Sequence, residues 1–473
     1  MYHLKIQKIL FLLLLITMSI TIVKAQTSSV PSPLDTTKKP ATDTVVKKPA
    51  APQNTLTFGL DMRTRFEARH GYRTIPIKDT SAAFLISQRT RFNVDFKSKN
   101  LDVFLSLQDA RVWGEQDPRE GQTGNSTTVT PTSTFPLYLF EAYAEPHFGN
   151  NFSVRIGRQR VMYDNQRLFA ENDWRLPGNS HDAIRFIYNN KINFTTELLV
   201  AYNQSGENLL TTKYNPIVPN YKSLIVSYLN WKLNDKLSLT TLNTADGYQS
   251  SDQKKYTTTY MRYTFGGRLE YSTYNWYLTF SGYKQVGKDS AGKKLDAFYI
   301  QPEIKYTGGP VTIRLGAEYL SGADSSTHPS EDKNFVPLYG VAHRFMGNLD
   351  LFATFPVDVN GAGLFNPYLF FQYQKNKVSL RIENHLFYSE SQFVFKGSPI
   401  DKYLGFENDW RFNYKPSKIA DLEIGFCWAT VTNSMVYIKN PKVSSTDVSR
   451  YSQLPYFSYV SLRLTPTFGK LTF

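Results

Sequence analysis

The sequence predicts an all-β protein, a transmembrane antiparallel up-and-down β-barrel of about 18 strands. Three observations predict it. First, long runs alternate apolar and charged residues, and a period of two puts successive side chains on opposite faces of a strand. Second, these runs follow one another with short and long connectors in turn, as a barrel in a membrane requires. Third, aromatic residues make up 15% of the chain, with 31 Tyr and 33 Phe, a composition suited to girdles at two membrane interfaces.

The ends come first. Residues 1–25 have the form of a secretory signal peptide: Lys5 and Lys8, an apolar run from Ile9 to Ile22, and Val23-Lys24-Ala25 before Gln26. That run is short for a bilayer span, and no later run is long enough for a transmembrane helix. Residues 26–53 are rich in Pro, Thr and Lys, and are expected to be a periplasmic tether rather than a fold. Residues 54–473 form one block with no further linker. The single cysteine, Cys427, rules out an internal disulfide. The net charge is +14 for the chain and about +9 for the block.

The block opens on two matched runs. Phe58, Leu60, Met62, Thr64 and Phe66 alternate with Asp61, Arg63, Arg65 and Glu67; then Thr90, Phe92, Val94 and Phe96 alternate with Arg89, Arg91 and Asp95. Strands are expected next at 101–109, 135–148 and 151–163, after a polar loop at 114–134. They continue at 180–190, 192–204, 221–232, 235–246, 256–272, 274–286, 295–308 and 310–322. After an irregular region come 364–375, 376–390, 401–415, 418–430 and 456–468. Asn-Asn, Asn-Asp and Gly-Gly pairs punctuate the hairpins. Strands of 12 to 17 residues exceed the soluble norm and argue against a secreted sandwich or solenoid. The chain ends on Phe473, the kind of terminal aromatic read by outer-membrane assembly machinery, with Pro466 interrupting the last run.

Projecting the polar parity inward collects candidate pore-lining residues: Arg63, Arg65, Glu67, Arg89, Arg91, Arg155, Gln159, Arg185, Arg268, Arg314, Arg381, Arg411 and Arg463. Two roles stand side by side for them. Interleaved carboxylates make cross-strand ladders that brace a wide barrel. An excess of guanidinium also concentrates anions in a narrow channel and grips carboxylates with a rigid fork. No catalytic constellation emerges, and the seven histidines show no metal-ligand spacing, so no enzyme, metal or cofactor is expected. Charges that alternate along exported strands do not suit nucleic acid.

The segment Val154–Phe186, VRIGRQRVMYDNQRLFAENDWRLPGNSHDAIRF, resembles the signature of the alginate-export family of outer-membrane barrels. The matching residues are Gly157, Arg158, Gln159, Arg167, Leu168, Trp174, Arg175, Asp182 and Arg185, with Ala183 where the family commonly has glycine. A second stretch, Phe335–Phe352, is similar through Phe335, Leu338, Tyr339, His343, Gly347 and Asp350; it fits a folded-in element better than a strand. Arg63, Arg65 and Glu67 complete the likeness. The resemblance implies an 18-stranded monomeric barrel in the Gram-negative outer membrane with an arginine-rich pore. The founding member passes an anionic polymer, whereas relatives serve as porins for other solutes. The expected function is passive, selective diffusion of polar, anionic solutes such as sugar acids or uronate-containing saccharides. The alternative is a non-conducting barrel, plugged by its loops, that acts as a surface or scaffolding protein.

Overall fold

The structure, a computed structural model, describes residues 54–113, 137–207, 209–210, 213–214, 220–250, 258–325, 330–451 and 454–473. The signal segment, the tether and the 114–134 loop lie outside the described residues. Among these residues eighteen barrel strands run in order: β1 (Thr55–His70), β2 (Ala83–Lys97), β3 (Leu101–Val112), β4 (Leu137–Phe148), β5 (Phe152–Gln159), β6 (His181–Asn189), β7 (Phe194–Tyr202), β8 (Ser223–Lys232) and β9 (Leu237–Gln249). They continue as β10 (Thr259–Ser272), β11 (Trp276–Lys288), β12 (Lys294–Gly308), β13 (Val311–Leu320), β14 (Leu364–Lys375), β15 (Val378–Tyr388), β16 (Tyr403–Ser417), β17 (Ala420–Val431) and β18 (Tyr456–Leu464, resumed as Thr467–Thr472).

Each strand pairs antiparallel with the next, and β18 closes on β1 through Met62↔Leu464 and Thr55↔Thr472. Closure leaves no open sheet edge, which a bilayer does not tolerate. Pro466 has no N–H to give the ladder and splits the last strand, yet its carbonyl still accepts from Leu60 N–H at 3.0 Å. Turns as short as 309–310 and 376–377 gather at one end with both termini of the block, and connectors as long as 321–363 gather at the other.

The period of two decides what faces where. Phe66 is 43% exposed, whereas its neighbours Arg65 and Glu67 are buried. Exposed Ile156, Ile184, Phe265, Leu269, Leu278, Leu315, Leu369, Ile424 and Val460 extend this apolar outer band around the barrel. Phe148, Phe152, Trp231, Trp276, Tyr306, Tyr414 and Phe473 lie exposed beside the short turns, as one aromatic girdle would. No helix among the described residues is long and apolar enough to cross a membrane.

The lumen is partly filled. Two connectors fold into it: 160–180 after β5 and 335–363 before β14. Val161, Leu168, Phe169, Phe335, Leu349, Leu351 and Phe352 from these connectors pack with Leu199, Leu224, Leu242, Tyr299 and Phe387 of the wall, all nearly inaccessible. This is an apolar core inside a barrel whose lipid face is also apolar. A short helix, α1 (Asn433–Lys439), closes over it with Met435, Val436 and Ile438 buried and Thr432 capping its first turn.

Several strand ends differ from expectation by two to four residues, and one of them positions the site. The strand expected over 151–163 stops at Gln159, because Arg160 N–H leaves the ladder and donates to the Glu141 carboxylate at 3.0 Å. Just before that exit, Gly157 adopts a φ of 123°, and a Cβ there would come within 2.3 Å of the Ala142 carbonyl.

Candidate functional site

The first inward connector is held by its tip. Asp173 receives Arg89 at 2.8 Å, Arg463 at 3.1 Å and Arg91 at 3.3 Å, with Arg63 at 4.0 Å. Arg63 also donates to the Asp173 carbonyl, to Trp174 O at 3.2 Å and to Arg175 O at 3.1 Å. Arg65 donates to Trp174 O at 3.2 Å and lies 3.9 Å over the indole ring. Burial raises the Asp173 carboxyl, but Arg89, Arg63, Arg463 and Arg91 together outweigh it and hold it below the ordinary carboxylate range. The opening strands therefore spend their arginines on the connector. Asp61 balances the same group, with Arg463 at 2.7 Å and Arg89 at 3.4 Å.

The second connector meets the first face to face. His343 stacks on Trp174, with centroids 3.8 Å apart and planes 9° apart. Trp174 Nε1 donates to the Tyr72 hydroxyl at 3.0 Å, Tyr72 donates to Asp350 at 2.6 Å, and Asp350 holds His343 Nδ1 at 2.9 Å. Burial pushes the His343 imidazole below its ordinary value although Asp350 lies beside it, so the stacked ring is neutral near pH 7. The connectors are also joined by backbone: Tyr339 N–H donates to Leu168 O at 2.9 Å. A Cβ on Gly340 would lie 1.8 Å from Arg167 O, so only glycine permits this approach. Arg167 in turn pairs with Glu318 of β13 at 2.7 Å, both buried.

Two cavities flank this junction and share Asn172, Trp174 and His343 in their walls. The larger, about 380 Å³, lies among the long connectors and carries Arg158, Arg167, Arg175 and Arg262 against Asp182 and Asp350. The smaller, about 190 Å³, carries Arg63, Arg344, Arg411 and Arg463 against Asp173, Asp421 and Glu423. Four arginines thus face two carboxylates in one cavity and three in the other. The junction thus stands between two cavities with arginine-bearing walls.

The remaining candidate residues sit in ladders along the inner wall. Arg155 pairs with Glu145 at 2.6 Å, Arg185 with Glu197 at 2.7 Å, Arg268 with Glu270 at 2.6 Å and Arg314 with Glu303 at 2.5 Å. Arg381 reaches Glu383 at 3.4 Å, and Arg65 and Arg69 share Glu67. Gln159 is buried and donates to Ala183 O at 3.0 Å. Arg411 donates to Asn348 of the second connector at 2.8 Å. Arg158 pairs with Asp182 at 2.7 Å on the outward parity, near the rim. The motif residues Trp174, Arg175, His343 and Asp350 converge at the junction, and Gly347 packs against Glu407, where a Cβ would come within 2.3 Å of the carboxylate. Sequence reasoning did not single out Asp173, Tyr72 or Arg344. A cluster of inward arginines larger than its own strands' supply of carboxylates was the available signal for Asp173.

A closed eighteen-stranded barrel with an apolar outer band and an arginine-rich inner wall defines a porin-like outer-membrane channel. Residues 54–353 match the alginate export family model. That match spans more than half of the sequence, and the chain belongs to the alginate-export family. No curated protein matches it. Among solved structures it is similar to OccAB1 of Acinetobacter baumannii, at 11% identity and a TM-score of 0.59, covering 88% of this chain and 97% of that one. It is also similar to OpdL of Pseudomonas aeruginosa, at 11% identity and a TM-score of 0.58, covering 88% and 99%. OpdK of Pseudomonas aeruginosa, solved with vanillate, matches at 11% identity and a TM-score of 0.54, covering 87% and 99%. At these identities the likeness is one of fold.

Proposed function

We propose that this channel passes small anionic solutes, sugar acids and uronate-containing saccharides among them, by passive selective diffusion. The observation that carries the reading is Arg344, exposed in the wall of the smaller cavity beside Arg63, Arg411 and Arg463. Most cavity arginines are paired, Arg167 with Glu318, Arg262 with Asp246 and Arg463 with Asp61, so selectivity rests on few cations. Arg344 is exposed in the smaller cavity and makes it a contact for a carboxylate in transit. OpdK, solved with the carboxylate vanillate, has the same barrel fold and lends support. The chain acts as a monomer, with residues 26–53 as a periplasmic tether, after insertion by the outer-membrane assembly machinery.

Reconstitution into planar bilayers tests this. Under a salt gradient the reversal potential should report anion preference, and glucuronate or gluconate should carry current or block chloride current. Cation preference would sink the electrostatic account. A second reading, a plugged scaffold, draws on the apolar core that Phe335, Leu349 and Phe352 build inside the lumen. It requires that no channel opens at any voltage.

A further inference from the structure

We infer that the inner wall at β15 and β16 holds a first-row divalent cation, best Zn²⁺, on Glu383, His385 and Asp409. The strand register builds the site. Glu383 and His385 are two apart on β15 and share the inner face; Glu383 is opposite Asp409, and His385 opposite Glu407, on β16. One nitrogen of His385 and one oxygen each of Glu383 and Asp409 lie within 4.8 Å of one another. All four side chains are buried, Glu407 at 0% exposure and His385 and Asp409 at 1%.

Three further observations point to a ligand. Like charges directly opposite on one sheet face repel, and Glu383 faces Asp409 with Glu407 one row away. Arg381 and Arg411 reach Glu383, at 3.4 and 3.9 Å, but among the described residues no ion pair reaches Asp409 or Glu407. Each of those two carboxylates uses one oxygen on the second connector: Asp409 accepts from Asn348 N–H at 3.0 Å, and Glu407 from Leu349 N–H at 2.7 Å. Their other oxygens, Asp409 Oδ1 and Glu407 Oε2, are buried and receive no backbone, amide or cationic donor; the two carboxyls face each other and the Cys427 thiol, which stands opposite Asp409. Buried, unpaired carboxylate oxygens are costly unless something positive binds them.

The third observation is the tautomer of His385. Asn366 donates through Nδ2 to the Phe345 carbonyl at 2.7 Å, and a carbonyl can only accept. That fixes the amide, so Asn366 Oδ1 is the atom facing His385 Nδ1 at 3.1 Å. Nδ1 therefore carries the proton and Nε2 keeps its lone pair. A metal-binding histidine is held this way, its other nitrogen donating to a carbonyl. Imidazole with two carboxylates suits Zn²⁺ over Ca²⁺ or Mg²⁺, which prefer oxygen alone. Bound there, the ion would cancel the wall's repulsion and fasten Asn348–Leu349, hence the second connector, to β16.

The test uses the full mature chain, folded in detergent and stripped with EDTA. Calorimetry with ZnCl₂ should give one site per chain, not displaced by equal CaCl₂. His385→Gln and Asp409→Asn should each weaken binding at least tenfold, and Asn366→Ala, which touches no ion, by about 10–100-fold. Each variant is first checked for the heat-modifiable gel mobility of a folded barrel. Co²⁺ added to the unmutated protein should give visible d–d bands that Zn²⁺ abolishes, a readout independent of any variant. Absence of a stoichiometric zinc site, affinity indifferent to His385 and Asp409, or displacement by Ca²⁺ would each overturn the proposal.

Discussion

Asp173→Asn is the sharpest perturbation the structure offers, because one carboxylate holds the first connector against several arginines. The substitution keeps shape and one acceptor but removes the charge. At separations of 2.8, 3.1 and 3.3 Å, each charge pair is worth about 5–6 kcal/mol at an effective dielectric near 20. Repulsion among the arginines and the cost of burying them cancel most of that. Breaking a buried pair by deleting one partner costs about 3–5 kcal/mol. The Arg63 and Arg65 bonds to the backbone of 173–175 survive, so the lower figure applies. A loss of about 3 kcal/mol raises the released fraction of the connector roughly a hundredfold. Single-channel recordings should then show larger or more frequent open levels, and stronger anion preference as Arg89, Arg91 and Arg463 face solvent. A conductance histogram and reversal potential identical to wild type would refute the anchoring argument. The pH dependence has a definite sign. A carboxylate held below its ordinary value stabilises above its unfolded pKa, and that contribution is lost only as pH falls through the folded value. The wild-type channel should therefore keep its conductance from pH 7 down to about 4, in the ordinary carboxylate range.

Four further outcomes follow from particular contacts. Glu318→Gln leaves Arg167 buried without its counter-charge and should cost about 3–5 kcal/mol, read as a lower temperature for loss of heat-modifiable mobility. Gly340→Ala puts a methyl 1.8 Å from Arg167 O and should part the two connectors, with a raised conductance and protease cleavage near 340 in folded barrels. Arg344→Glu reverses an exposed charge in the smaller cavity; folding should be unaffected while the reversal potential shifts toward cations. Leu315→Arg places a cation on the lipid face of β13 and should destabilise the barrel by about 2–4 kcal/mol in urea titrations from lipid.

The barrel was legible because lipid and lumen impose opposite chemistry on alternate residues, and β1 and β2 write that contrast in every pair from Phe58 to Phe96. Position in the wall could be read this way, but partnership could not. Arg63 and Arg89 look in sequence like pore-lining cations; in the fold they grip Asp173, 110 and 84 residues away. The Glu383, His385 and Asp409 group was equally hidden. A search for histidine spacing sees one ligand at a time, whereas register across two strands assembles the set. Family resemblance reached further than periodicity here, since it picked out Trp174 and His343 without saying that they touch.

Under the proposed function, that contact would let an arginine-rich barrel be selective. If every inward arginine lined open water, the lumen would hold counter-ions indiscriminately and the charge would be screened within about a Debye length. Here Arg63, Arg65, Arg89, Arg91 and Arg463 are drawn onto the first connector, Arg167 onto Glu318, and Arg411 onto the second connector. The wall's charge is thereby converted into the position of two loops. Those loops reduce a wide barrel to a neutral, stacked Trp174–His343 junction between two mildly basic chambers. On the proposed function, few unneutralised arginines would attract an anion into either chamber without holding it tightly, the balance that conduction needs. On that proposal selection by size would belong to the junction and selection by charge to the chambers, so Gly340 and Arg344 substitutions should separate the two properties.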